Sequence, residues 1–156
     1  MKSGPVRVLV ADDHSVVRGG IVAILSSAAD IEVVGQAGDG AEAARKALET
    51  RPDVVILDVN MPGLNGVETA RRIHEALPSA GILALTSHEE EEYVVGMVCA
   101  GASGYLVKDG APAALLEAVR ALRGGASYFS PRAFQAIVRA LRRPPAPEPR
   151  PGQSGS

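Results

Sequence analysis

Short apolar runs alternate with amphipathic stretches along most of the chain. Val6-Arg7-Val8-Leu9-Val10-Ala11 is β-branched and mostly apolar, which predicts a strand. From His14 to Ser27, Val16, Val17, Ile21, Ile24 and Leu25 recur at helical spacing. Ile31 to Ala37 reads as a second strand and Asp39 to Thr50 as a second helix, with Asp39 as its N-cap. Asp53-Val54-Val55-Ile56-Leu57 is almost continuously apolar, the pattern of a parallel strand buried on both faces. Asn65 to Ala76 is a third helix, stopped before Pro78. Gly81 to Leu85 and Glu89 to Ala100 give a fourth strand and helix. Ser103 to Val107 is a fifth strand, and a fifth helix begins at Pro112 and runs to about Arg123. Five strand–helix pairs imply a parallel sheet with right-handed crossovers.

After Gly124-Gly125, an apolar-periodic stretch from Phe134 to Leu141 suggests a further helix. From Pro144 onward the sequence is PPAPEPRPGQSGS, the composition of an extended linker or tail. The expected organisation is therefore a domain over residues 1–124, a helical extension over 125–143 and a Pro/Gly/Ser-rich linker or tail over 144–156.

Composition narrows the function. Aromatic residues are 3% and Trp is absent, so Val, Leu, Ile and Ala must build the core. The 16 Lys+Arg against 18 Asp+Glu argue against a surface given over to nucleic acid. One Cys excludes an internal disulfide framework and a multi-Cys zinc site. No apolar run approaches the roughly 20 residues of a membrane span, and the N-terminal apolar stretch ends too soon at Asp12-Asp13 to be a secretory signal. A cytoplasmic protein is expected.

The polar residues gather at one place in this scheme. Asp12 and Asp13 follow the first strand, Asp58 the third, Thr86 the fourth and Lys108 the fifth. In an open parallel sheet the carboxyl ends of the strands share one edge, and ligands bind there. Three clustered carboxylates repel unless a cation joins them. All-oxygen donors favour a hard ion such as Mg²⁺, which in turn attracts phosphate oxygens. Lys108 suits a phosphoryl group or a carboxylate, and the Thr86 hydroxyl can donate to a phosphoryl oxygen. A carboxylate can itself attack and form an acyl phosphate. The set reads as metal-assisted phosphoryl transfer onto an aspartate. Asp58 stands alone before Val59-Asn60-Met61-Pro62-Gly63, a loop whose Pro and Gly fix the backbone. That suits a nucleophile and the acidic pair suits a metal, although these residue types alone leave the assignment open.

The segments VLVADDH, ILDVNMPGLNG, ALTSH and AGASGYLVKD, in this order and spacing, resemble the receiver domains of bacterial two-component response regulators. DDHSVVRGGI and AGASGYLVKD resemble the LuxR/NarL-type branch, which usually carries a C-terminal helix-turn-helix. The resemblance covers about residues 5 to 124. It implies a flavodoxin-like, CheY-like (βα)5 α/β fold, a doubly wound five-stranded parallel sheet of order 2-1-3-4-5. It implies Asp58 as phosphoacceptor and Lys108 as the phosphate-binding lysine. Asp13 and Asp58 would ligate Mg²⁺ by side chain and Asn60 by backbone carbonyl, with Asp12 acting through water. Thr86 and Tyr105 would form a switch pair that alters the surface of the fourth helix, fifth strand and fifth helix. The partner would be a sensor histidine kinase. A homodimer would use that surface or the face of the first and fifth helices. DNA would be reached only through an output domain not present in this sequence. The expected role is a phosphoacceptor switch that assists its own phosphorylation and dephosphorylation, controlling transcription or dimerisation, rather than an enzyme.

Each residue alone has an ordinary explanation. Asp12 or Asp13 suits a turn or an N-cap, Thr86 a cap and Lys108 a solvated surface. Cys99 suits a small core position. His14 follows the acid pair, where a metal ligand would stand, but suits the start of the first helix; His88, near the pocket, suits either the tuning of dephosphorylation or a plain surface position. Glu89 to Glu92 favourably oppose a helix dipole. Val94, Val95, Met97 and Val98 exceed what one buried face requires, which hints at an interaction surface, though core packing explains them too. Two other functions use the same residues: a small Mg²⁺-dependent phosphotransferase or phosphatase, disfavoured because no lid or cap insertion is visible, and a pseudo-receiver used only for binding, disfavoured by the complete set Asp58, Lys108 and Thr86.

Overall fold

A computed structural model describes residues 4–59, 61, 65–86, 91–108 and 110–143. The elements are β1 (Val6–Ala11), α1 (Ser15–Ser26), β2 (Ile31–Ala37), α2 (Gly40–Thr50), β3 (Val54–Asp58), α3 (Gly66–Ala76), β4 (Gly81–Thr86), α4 (Glu91–Cys99), β5 (Gly104–Val107), α5 (Pro112–Arg123), β6 (Tyr128–Phe129) and α6 (Pro131–Arg142). All the strand pairs are parallel, in the order β2-β1-β3-β4-β5-β6. The expected 2-1-3-4-5 order stands, extended by β6 beyond β5. The extension after α5 thus carries a strand as well as the expected helix.

Strand periodicity separates two cores. Val8, Val10, Val54, Ile56, Leu83, Leu85 and Leu106 pack in one cluster with Ile21 and Leu25 of α1 and Leu115, Val119 and Leu122 of α5. Leu9, Ala11, Val55, Leu57, Ile82, Ala84 and Tyr105 pack in the other with residues of α2, α3, α4 and α6. β3 and β4 are buried along their whole length. Each large aliphatic side chain so buried contributes roughly 1.5–3 kcal/mol.

Helix starts follow the expected chemistry. The Asp39 carboxylate accepts the Glu42 N–H at 2.8 Å, and Asn65 Oδ1 accepts the Glu68 N–H at 2.8 Å. Pro112 occupies the first turn of α5. Gly101, at φ +112°, turns the chain from α4 into β5, and a Cβ there would meet the His74 ring at 2.4 Å.

Two expectations at single residues change. Val16 shares the helical spacing of α1 but is 87% exposed, because Ile21 and Leu25 supply its buried side. Cys99 is exposed at the end of α4 rather than in the core, where Val94 and Met97 already fill the buried positions. α6 packs on the buried side of α4, its Ala133 and Ala136 joining the cluster that holds Val94 and Met97, while Val95 and Val98 stay half-buried.

Candidate functional site

The carboxyl ends of β1, β3, β4 and β5 bring the expected residues together. Asp12 and Lys108 lie one position beyond β1 and β5, and Asp58 ends β3. In each strand they continue the alternation of the cluster facing α1 and α5: Val8 and Val10 precede Asp12, Val54 and Ile56 precede Asp58, and Leu106 precedes Lys108. Thr86 continues the opposite alternation, after Ile82 and Ala84, on the side of Tyr105. Asp12, Asp58 and Lys108 therefore belong to one face of the sheet, and Thr86 and Tyr105 to the other.

Asp12 is fixed by backbone. Its N–H donates to Ala37 O at 3.0 Å, its carbonyl accepts from Arg18 Nη1 at 2.7 Å, and its Oδ1 accepts the His14 N–H at 2.9 Å. Asp12 and Asp58 are 1% and 3% exposed. Lys108 Nζ lies 3.0 Å from Asp12 Oδ2 and 3.1 Å from Asp58 Oδ2. Burial acts to lower the Lys108 pKa, but its contacts with the two carboxylates outweigh burial and hold the ammonium above its ordinary value. The Lys108 N–H donates to Thr86 O at 2.7 Å, which ties the end of β5 to the end of β4.

Asp13 is less buried and lies 3.0 Å from His14 Nδ1. One ligand atom from each of Asp12, Asp13, His14 and Asp58 lies within 4.8 Å of the others. Three carboxylates against one ammonium leave an excess of negative charge and a set of hard oxygen donors. Octahedral Mg²⁺ at its usual bond length separates its ligand oxygens by about 3–4 Å, so modest closure of this cluster fits the ion. Asp12 Oδ1 accepts the His14 N–H, and Asp12 Oδ2 faces the Lys108 ammonium. His14, which precedes α1, also lies against the acids, as its place after the acid pair allows. The Asn60 carbonyl expected to complete the metal set, and His88, lie outside the described residues.

Thr86 and Tyr105 are both fully buried. Tyr105 pairs in register with Ala84 on one side and Phe129 on the other. A cavity of about 300 Å³ adjoins Lys108, lined by residues that include Ile21, Leu106, Pro112, Tyr128 and Pro131, but its lining includes none of Asp12, Asp13 and Asp58.

This sheet order, with acids and a lysine at its carboxyl edge, is the arrangement that the resemblance to receiver domains implies. The chain belongs to that family: residues 8–120 match the response regulator receiver domain. It is 40% identical over 133 residues to the response regulator GacA of Pseudomonas viridiflava, covering 85% of this chain and 62% of that protein. It is 41% identical over 137 residues to the DNA-binding transcriptional activator DevR/DosR of Mycobacterium tuberculosis, covering 88% of this chain and 63% of that protein. The chain thus spans a little under two thirds of these curated relatives, which are LuxR/NarL-type regulators. Among solved structures, a LuxR-family two-component response regulator from Aurantimonas sp. SI85-9A1 superposes with a TM-score of 0.83 at 34% identity, covering 90% of this chain and 100% of that one. The isolated receiver of RcsB from Salmonella enterica serovar Typhimurium, in the presence of the phosphomimetic BeF3−, superposes with a TM-score of 0.77 at 26% identity, covering 85% of this chain and 99% of that one.

Proposed function

We propose that this chain accepts a phosphoryl group from a sensor histidine kinase onto Asp58 and uses the resulting charge to repack Thr86 and Tyr105. The observation that carries the reading is the Lys108 ammonium held 3.0 and 3.1 Å from two buried carboxylates beside a third. An Asp58 carboxylate oxygen attacks phosphorus and forms the O–P bond. The P–N bond to the donor imidazole breaks, and the imidazole leaves with that electron pair and takes up a proton. Lys108 neutralises charge on the incoming phosphoryl oxygens. Asp13 and Asp58 would hold Mg²⁺ by side chain, with the Asn60 carbonyl, and Asp12 through water. The bound ion would supply charge neutralisation of the phosphoryl group.

The acyl phosphate adds roughly −1.5 to −2 charge and strong acceptor oxygens. Thr86 moves toward it to donate its hydroxyl, and the packing around Tyr105 changes with it. The altered surface is that of α4, β5 and α5. The chain is in this reading a switch that assists its own phosphorylation and dephosphorylation, not an enzyme acting on a free substrate, and it works in the cytoplasm. No described helix is long and apolar enough to cross a membrane. β6 and α6 lie over part of the α4–β5–α5 face, so a homodimer formed without rearrangement uses α1 and α5, where Val16 is exposed. Transcription is controlled through an output domain; the relative DevR/DosR is a DNA-binding transcriptional activator.

Intact mass after incubation with acetyl phosphate tests the acceptor. One added phosphoryl group is expected with Mg²⁺, none with EDTA, and loss of the group in mild base. Asp58→Asn is expected to take up none while its circular dichroism is unchanged. Undiminished labelling of that variant would place the acceptor elsewhere.

A further inference from the structure

The residues after α5 turn back onto the sheet and grip it at two places. β6 pairs with β5, placing Tyr128 opposite Gly104 and Phe129 opposite Tyr105. The Tyr128 N–H donates to Ser103 O at 3.0 Å, and the Ser130 N–H to Tyr105 O at 3.2 Å. The carbonyl of the switch tyrosine is therefore held directly by this segment. Ser130 then starts α6, its Oγ accepting the Ala133 N–H at 3.2 Å. α6 sets Ala133 and Ala136, both fully buried, into the cluster of Val94, Met97 and Tyr105. One short segment thus holds β5 by its backbone and α4 by its side chains.

Two contacts joined by a single residue, Ser130, have little slack. A shift of α4 relative to β5 cannot leave both unchanged. The grip is also small enough to reverse: β6 is two residues long, and α6 contributes two buried alanines with the half-buried Ile137 beside them. Taking the switch reading above as given, we propose that Tyr128–Arg142 is a built-in clamp. It opposes the rearrangement of α4 and β5 that follows phosphorylation, and it lets go when that rearrangement occurs. Coupling between two binding events is reciprocal. If docking of α6 disfavours the phosphorylated state, the phosphorylated state loosens α6 by the same factor.

Reciprocity makes the clamp measurable on the full chain with beryllofluoride and Mg²⁺ as the phosphoryl mimic. Trypsin cleavage after Arg132, in the first turn of α6, reports undocking, because proteolysis of a segment follows its open population. Saturating beryllofluoride is expected to speed this cleavage by roughly fivefold or more, the low end of usual coupling. Ala136→Glu, which puts a charge into the seam, is expected to lower the beryllofluoride midpoint by a similar factor. Ser130→Ala, which removes the cap without placing a charge in the seam, is expected to move it in the same direction by less and guards against misfolding of the first variant. Equal midpoints in all three proteins, with cleavage indifferent to beryllofluoride, would overturn the clamp while leaving the phosphoacceptor reading intact. Failure of beryllofluoride to bind any of them would overturn that reading, and the clamp with it.

Discussion

Removing the Lys108 ammonium leaves Asp12 and Asp58 buried side by side with Asp13 near them. Breaking a buried pair from one side costs several kcal/mol, and because Lys108 keeps 16% exposure, Lys108→Met is expected to cost roughly 3 kcal/mol, the low end of that range. The pH dependence follows from the direction of the shift. The lysine is raised above its ordinary 10.5, so its contribution is complete below that value and is lost as pH rises through the higher folded value. Tyr128, raised by burial and then by Glu117, titrates in the same alkaline range. The comparison that isolates Lys108 is therefore wild type against Lys108→Met. Urea midpoints are expected to differ by a constant amount from pH 7 to 9 and to draw together as pH rises beyond the ordinary lysine value. A gap that stays constant at high pH would show that the ion pairs are not its source. Strand ends in the sequence were enough to gather Asp12, Asp13, Asp58, Thr86 and Lys108 at one edge. They were not enough to show one ammonium bridging two buried acids, because that depends on side-chain direction past the ends of two strands.

The elements were legible where periodicity was long. Five strand–helix pairs repeat hydrophobic patterns over enough residues to be read, whereas β6 is two residues, Tyr128 and Phe129, with no period to detect. It forms because β5 offers an unpaired edge and because Ser130 starts a helix that packs on α4. Glycines give a sharper test at this scale. Gly66 opens α3, and a Cβ there would lie 2.6 Å from Val59 Cα and from its carbonyl oxygen. Backbone cannot yield as a side chain can, so Gly66→Ala is expected to cost about 1–3 kcal/mol. Because Val59 adjoins Asp58, the same change is expected to slow phosphoryl uptake. Gly19 lies in α1 with nothing within 4 Å of its missing Cβ, so Gly19→Ala is expected to stabilise by about 1 kcal/mol. Thermal unfolding followed by circular dichroism reads both signs, and a destabilised Gly19→Ala would contradict the open surface described for α1.

For the whole molecule, a metal site is a link between folding and ion concentration. The native chain gathers three carboxylates from β1 and β3 that the unfolded chain scatters, and Lys108 balances only part of their charge. An ion that binds the native state alone stabilises it by RT ln(1 + [L]/Kd), about 1.4 kcal/mol at ten times Kd. For a chain of this length that raises Tm by about 3–6 °C. Mg²⁺ is expected to give a saturable rise of that size, reversed by EDTA and not reproduced by sodium at equal ionic strength. Asp13→Asn is expected to remove most of it, because Asp13 is the acid of the cluster that Lys108 does not engage. Lys108→Met is expected to enlarge it, because uncompensated negative charge draws the ion more strongly. Asp58→Asn separates chemistry from folding: with one like charge fewer, its stability without Mg²⁺ is expected to equal or exceed wild type by up to about 1 kcal/mol, although it is expected to accept no phosphoryl group. A rise in Tm that is the same in Asp13→Asn as in wild type would mean that the ion acts on the net negative charge of the chain, and the acid cluster would then have to be read as structural.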